Sequence, residues 1–117
     1  MMQVPATRHG EVMVARPEGR LDHANAQAFE TALQPLLDGV TAGSALVLDL
    51  SALEYICSVG LRVFMVAERQ LRERKAHVVV AALNGVVKEI FAISRFDRVL
   101  GVANTVDEAL ASLQARP

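Results

Sequence analysis

The chain has little of what most chemical functions require. One cysteine in 117 residues excludes an internal disulfide and fits a reducing cytosol. The histidines His9, His23 and His77 lie far apart, and no Cys/His pair has ligand spacing, so no metal site is expected. Neither a Walker loop nor a G-x-G-x-x-G turn occurs, so no ATP site or other cofactor of its own is expected. A net charge of −1, with four Phe, one Tyr and no Trp, argues against non-specific nucleic-acid binding and base stacking. No apolar run approaches the ~18–20 residues that cross a bilayer. Residues 1–10 lack a basic stretch followed by an apolar one, so neither direct membrane insertion nor a secretory signal is expected. There is no internal repeat, low-complexity tract or linker.

What remains is apolar and periodic. Hydrophobic residues make up 52% of the chain, enough for one domain with one sizeable core. Residues 12–15 read as a strand, and an extra strand is expected before them. Residues 16–19 have turn composition. A helix is expected over about residues 23–38, with an apolar stripe of Phe29, Ala32, Leu33, Leu36 and Leu37. Pro35 lies inside it and predicts a kink or an early end. Residues 45–49 form an apolar strand, and a short connector leads to a second helix over about residues 58–74. There Gly60, Phe64, Ala67 and Leu71 share one face, while Arg62, Arg69, Arg72 and Glu73 look outward. The basic cluster over residues 69–75 reads as a solvated helix end, where cations suit the dipole.

The Val- and Ala-rich strand over residues 77–83 predicts cover on both faces. Asn84 is a suitable cap for a third helix ending near Ser94 and burying Val87, Ile90, Phe91 and Ile93. Residues 99–100 suggest a short strand. Thr105 and Glu108 form a capping box for a last helix that buries Ala109, Leu110 and Leu113. Such alternation means an α/β layer with a mostly parallel centre. The loops at the carboxyl ends of the strands commonly carry the site, here residues 19–22, 51–58 and 84–86.

Ser58 stands at the predicted start of the second helix, where its hydroxyl could cap free N–H groups, act as a nucleophile or accept a phosphate. The nucleophile elbow G-x-S-x-G is absent, because position 56 is Ile. Cys57 precedes the helix start, a place that lowers a thiol pKa. A phosphatase-type loop needs five residues between Cys and Arg, and only four separate Cys57 from Arg62. Cys57 reads either as a small residue buried under the helix start or as a redox-sensing thiol.

Tyr55-Ile56-Cys57-Ser58-Val59-Gly60-Leu61, following Leu46-Val47-Leu48-Asp49-Leu50, resembles the signature of the STAS domain family. More narrowly it resembles the anti-sigma factor antagonists, with an apolar pair, Asp or Ser, a phosphorylatable Ser, a small residue, Gly and Leu. Cys57 stands where many of them have Asp, and Val59 where they have Ser, Thr or Ala. Gly19-Arg20-Leu21-Asp22 is similar to the family's G-x-L-D turn, and Phe96-Asp97-Arg98-Val99 to its apolar-Asp-x-apolar segment. The resemblance runs from about Val4 to Leu113 and implies a domain over residues 4–114 with short tails, 1–3 and 115–117.

That resemblance implies an α/β, STAS-like single domain, a mixed central sheet with about four helices packed mainly on one side. It implies a cytoplasmic bacterial switch protein rather than an enzyme, a monomer or weak dimer. Unphosphorylated, it would bind a serine-kinase anti-sigma factor and so release the sigma factor. The kinase would bring its own ATP, and a metal-dependent serine phosphatase would reverse the modification. By motif position Ser58 is the acceptor, and Gly19, Asp22, His23, Cys57, Ser58, Val59, Gly60 and Arg62 form the partner-binding set. A STAS subunit docked permanently on a transporter ATPase of the lipid-transport type keeps the fold and changes the role.

Overall fold

A computed structural model describes residues 3–114, so the expected tail 115–117 and the first two residues lie outside the described residues. Strands β1 (Ala6–His9), β2 (Val12–Ala15), β4 (Ala45–Asp49), β6 (His77–Ala81) and β7 (Gly101–Ala103) form one mixed sheet. Its order is β1-β2-β4-β6-β7, antiparallel between β1 and β2 and parallel elsewhere. Strands β3 (Gly19–Leu21) and β5 (Leu53–Ile56) pair with each other in a separate two-stranded parallel sheet. The helices are α1 (Ala26–Asp38), α2 (Ser58–Arg72), α3 (Gly85–Ser94) and α4 (Val106–Gln114).

The period-2 alternation of β4 and β6 decides the layers. Leu46, Leu48, Val78 and Val80 point into the larger core beneath α1, α2 and α3. Val47 and Ala81 point the other way and meet Ala109 of α4, with Leu110 and Leu113 partly buried beside them. Three helices therefore cover one face and one covers the other. All four phenylalanines line up in the larger layer. Phe29 of α1 lies 5.7 Å from Phe64 of α2, Phe64 lies 6.1 Å from Phe91 of α3, and Phe91 lies 6.2 Å from Phe96, each pair tilted or edge-on. These geometries suit the ring quadrupoles and tie the three helices together.

Several boundaries differ from the sequence expectation, each for a local reason. The first helix begins at Ala26 rather than near residue 23, because Asp22 to Asn25 form a turn that precedes it. Pro35 does not stop that helix early; it lies in the final turn and α1 runs on to Asp38. The second helix ends at Arg72, where Lys75 takes a left-handed φ of 58° and the Ala76 N–H reaches the Leu71 carbonyl at 2.9 Å. That is a Schellman-type stop made without glycine, which hides it from sequence. The third strand of the main run ends at Ala81, not residue 83. After α3, residues 96–98 make a 3-10 turn and the last strand is Gly101–Ala103 rather than residues 99–100. Val87 and Phe91 are buried as expected, but Ile93 is 78% exposed, since two residues beyond Phe91 lies on the opposite side of a helix.

The basic end of α2 is not simply solvated. The Arg74 guanidinium donates to the carbonyls of Leu37 at 2.6 Å and Val40 at 3.0 Å, satisfying the open end of α1. Glu68 was not singled out by the sequence pattern, yet it is 3% exposed. Its carboxylate accepts from the Val78 N–H at 2.7 Å and from Arg72 Nε at 2.6 Å, and meets His77 Nδ1 at 3.1 Å. It thereby fixes the far end of α2 to the first residues of β6. Glu68→Ala leaves the Val78 donor without this partner and should cost about 1–3 kcal/mol. Glu68→Gln, which keeps an accepting oxygen, should cost less. Urea unfolding of the two variants measures the difference.

Candidate functional site

The two-stranded sheet builds the site. Gly19 donates to the Ala52 carbonyl at 2.9 Å, and Cys57 donates to the Leu21 carbonyl at 2.9 Å. Between them Arg20 pairs with Tyr55 and Leu21 with Ile56. Two loops distant in the chain are thus zipped into one ridge, with Asp22 leaving one strand where Cys57 leaves the other. Residues 19–21 and 53–56, expected as loops, are strands; their short runs carry no alternation that would mark them in isolation.

The first loop is held by reciprocal side-chain bonds. Asp22 Oδ1 accepts from the N–H groups of Ala24 at 2.9 Å and Asn25 at 3.3 Å. Asn25 Oδ1 accepts from the Asp22 N–H at 2.9 Å, and its Nδ2 donates to the Arg20 carbonyl at 2.6 Å. Asp22 is therefore half-buried and committed to its own turn, while His23 beside it is exposed. Gly19 adopts φ +76° with open space where a Cβ would stand, so glycine is needed there for backbone conformation rather than for room. The Arg20 guanidinium lies 4.5 Å from the centre of the Tyr55 ring, a cation–π contact across the two strands. Asn84 caps α3 by accepting from the Val87 N–H at 2.9 Å, and its Nδ2 donates to the Leu53 carbonyl. Asn25 and Arg20 were not among the residues singled out from sequence. The spacing of Asp22 and Asn25, that of a reciprocal cap, is the signal that could have found the first.

The second loop ends at α2. Ser58 is not the cap. Cys57 occupies that position in an extended conformation, with no side-chain bond to the helix, and Ser58 is the first helical residue. Its side chain is exposed, and among the described residues its hydroxyl makes no hydrogen bond to another side chain or to the backbone. The first turn of α2 contains no acidic residue. Its leading N–H groups are thus free to meet an anion, and the helix dipole favours one there. Cys57 is buried at 8% exposure, Val59 is 38% exposed, and Arg62 is exposed one turn beyond Ser58. Gly60 is buried, and a Cβ on it would lie 2.9 Å from Ile56 Cγ1 and 3.2 Å from Leu21 Cβ. The absence of a side chain at position 60 lets α2 start this close to the paired strands without displacing them.

The structure brings Asp22, Cys57, Ser58, Val59, Gly60 and Arg62 together around the start of α2, with His23 on the adjoining turn, whereas Gly19 sits at the other end of β3, opposite Leu53. At the other end of α2, roughly 20 Å away by helix rise, lies a separate cleft of about 690 Å³ whose lining includes Glu68, Arg72 and His77. Among the described residues no group of three or more His, Cys, Asp or Glu side chains is placed to hold a metal ion. Among them, too, no helix is long and apolar enough to cross a membrane.

A five-stranded mixed sheet, three helices on one face and a serine-led helix locked against a G-x-L-D turn define a STAS domain. The chain belongs to the STAS domain family, whose family model matches residues 3–109. It is 35% identical over 103 residues to BtrV of Bordetella bronchiseptica, a candidate anti-sigma factor antagonist, covering 88% of this chain and 87% of that one. It is 29% identical over 102 residues to the anti-sigma-B factor antagonist of Listeria monocytogenes, covering 87% and 85%. A crystal structure of an anti-sigma factor antagonist from Mycobacterium paratuberculosis superposes with a TM-score of 0.85 at 26% identity, covering 96% of this chain and 93% of that one.

Gly60→Ala should lower stability by about 1–3 kcal/mol through overpacking, offset in part by up to ~1 kcal/mol of gained helix propensity. Thermal unfolding should show a midpoint several degrees lower. The Cys57 thiol should react slowly with a thiol reagent in the native protein and quickly in urea, since burial and not chemistry limits it. Equal rates in both conditions would show an accessible thiol and favour redox sensing.

Proposed function

We propose that this chain is an anti-sigma factor antagonist, a cytoplasmic binding protein whose partner is a serine-kinase anti-sigma factor and whose switch is phosphorylation of Ser58. The observation that carries the proposal is the state of Ser58. It is exposed, uncommitted among the described residues, and first in a helix whose opening turn has no acid. A capping serine would have been occupied by its own helix; this one is presented.

In this reading Asp22, His23, Val59 and Arg62 surround the acceptor on the partner-binding surface, with Gly19 opening the strand that leads to Asp22, while Cys57 and Gly60, expected on that surface, are buried and support it from beneath. The kinase supplies the ATP. Ser58 Oγ forms a bond to the γ-phosphorus, the bond to the bridging oxygen breaks, ADP leaves, and the hydroxyl proton passes to a base on the kinase. A metal-dependent serine phosphatase returns the hydroxyl. The chain itself contributes the acceptor and no catalytic group.

Phosphorylation adds about −1.5 to −2 charges at a helix N-terminus, where anions are stabilising by roughly 0.3–1 kcal/mol. The fold should survive the modification, and the change falls on the surface offered to the partner. A regulatory coupling of ~1–3 kcal/mol corresponds to about 5–150-fold in affinity. The test is intact-mass analysis and peptide mapping after incubation with ATP and the kinase. One phosphate on Ser58 is expected. Ser58→Ala should bind the kinase as the wild type does and take up no phosphate, and Ser58→Asp should bind within the weakened range above. A stable complex with no phosphate transferred, or equal affinity of wild type and Ser58→Asp, would count against the switch.

A further inference from the structure

We infer that Arg62 is the internal partner of a phosphate on Ser58, the two closing into a clamp across one turn of α2 when the switch is modified. The inference rests on the Ser58 reading above and adds a regulatory residue to it. Ser58 and Arg62 are four residues apart within the same helix, and both are exposed. Residues at that spacing are neighbours on one face, with Cβ atoms about 5–6 Å apart. The order also fits, because an anion on the N-terminal side and a cation one turn on both suit the helix dipole. Arginine offers a planar fork of donors that matches two phosphate oxygens.

Arg62 is available for this role. Among the described residues it makes no ion pair, and no side-chain hydrogen bond engages it. The other charged groups of this end are engaged or belong to other elements. The Asp22 carboxylate is held by the Ala24 and Asn25 amides. Arg20 is stacked on Tyr55, and His23, Glu54, Lys88 and Glu89 are exposed on the α1 turn, β5 and α3. On α2 itself the next arginine, Arg69, stands two turns beyond Arg62. A phosphate on Ser58 thus meets the open N–H groups of the first turn on one side and Arg62 on the other. The clamp also withdraws a cation from the contact surface, so modification alters two charges at once.

The test uses the full chain with phosphoserine installed at position 58 during translation, so that no kinase is needed. The second ionisation of phosphoserine, ordinarily near pH 6, is followed by phosphorus NMR. The wild type should ionise at lower pH than that. Arg62→Ala should weaken the acidity by roughly 1.5- to fivefold, and Arg62→Lys should restore part of it, lacking the fork. Equal ionisation in wild type and Arg62→Ala overturns the clamp. A kinase that leaves Ser58 unmodified counts against the switch alone, so the two failures are told apart.

Discussion

The main-chain bond from the Cys57 N–H to the Leu21 carbonyl, with its companion from Gly19 to Ala52, holds the functional end of this protein together. Main-chain pairing of this kind does not depend on side-chain identity, yet here it has strict side-chain consequences. It brings Leu21 and Ile56 so near the first turn of α2 that any side chain at position 60 would crowd them. It also places the turn built by Asp22 and Asn25 beside the residue that opens α2. Without the pairing, Ser58 would begin a helix with no defined neighbour.

Helix α2 is the element that carries this arrangement into the core. Its start is fitted to β3 and β5, its middle holds Phe64 between Phe29 and Phe91, and its far end is fastened by buried Glu68 to β6. A helix fixed at three points along its length behaves as a rigid post. An added charge at its exposed tip is more easily absorbed as a changed surface than as a changed fold. The energies agree, since the dipole term at a helix start is small and favourable, whereas displacing a helix from a packed core costs several kcal/mol.

The electrostatics at that tip depend on what occupies the cap. Cys57 makes no side-chain bond to the helix, and no acidic residue follows in the first turn. A carboxylate at the cap would accept from the same N–H groups and repel an incoming phosphate. In its absence the donors of the first turn of α2 are left to an incoming anion, and Arg62 is the charged side chain nearest them along the helix.

The sequence alone determined much of this protein. Near-continuous apolar runs at residues 45–49 and 77–83 and a period near 3.6 in the helices set the alternating α/β order, most of the core residues and the two-sided cover of the sheet. Asn84 and Thr105 marked their helix starts correctly, because a cap is a contact within three residues of chain. Tertiary structure alone decided the rest. The pairing of β3 with β5, the docking of Arg74 on the end of α1 and the burial of Glu68 against Val78 each join segments remote in sequence. Whether Ser58 caps the helix or is presented by it was settled in the same way. Shifting the helix start by one residue exchanges those roles, and the start is set by where Cys57 meets Leu21, a bond that no local pattern encodes.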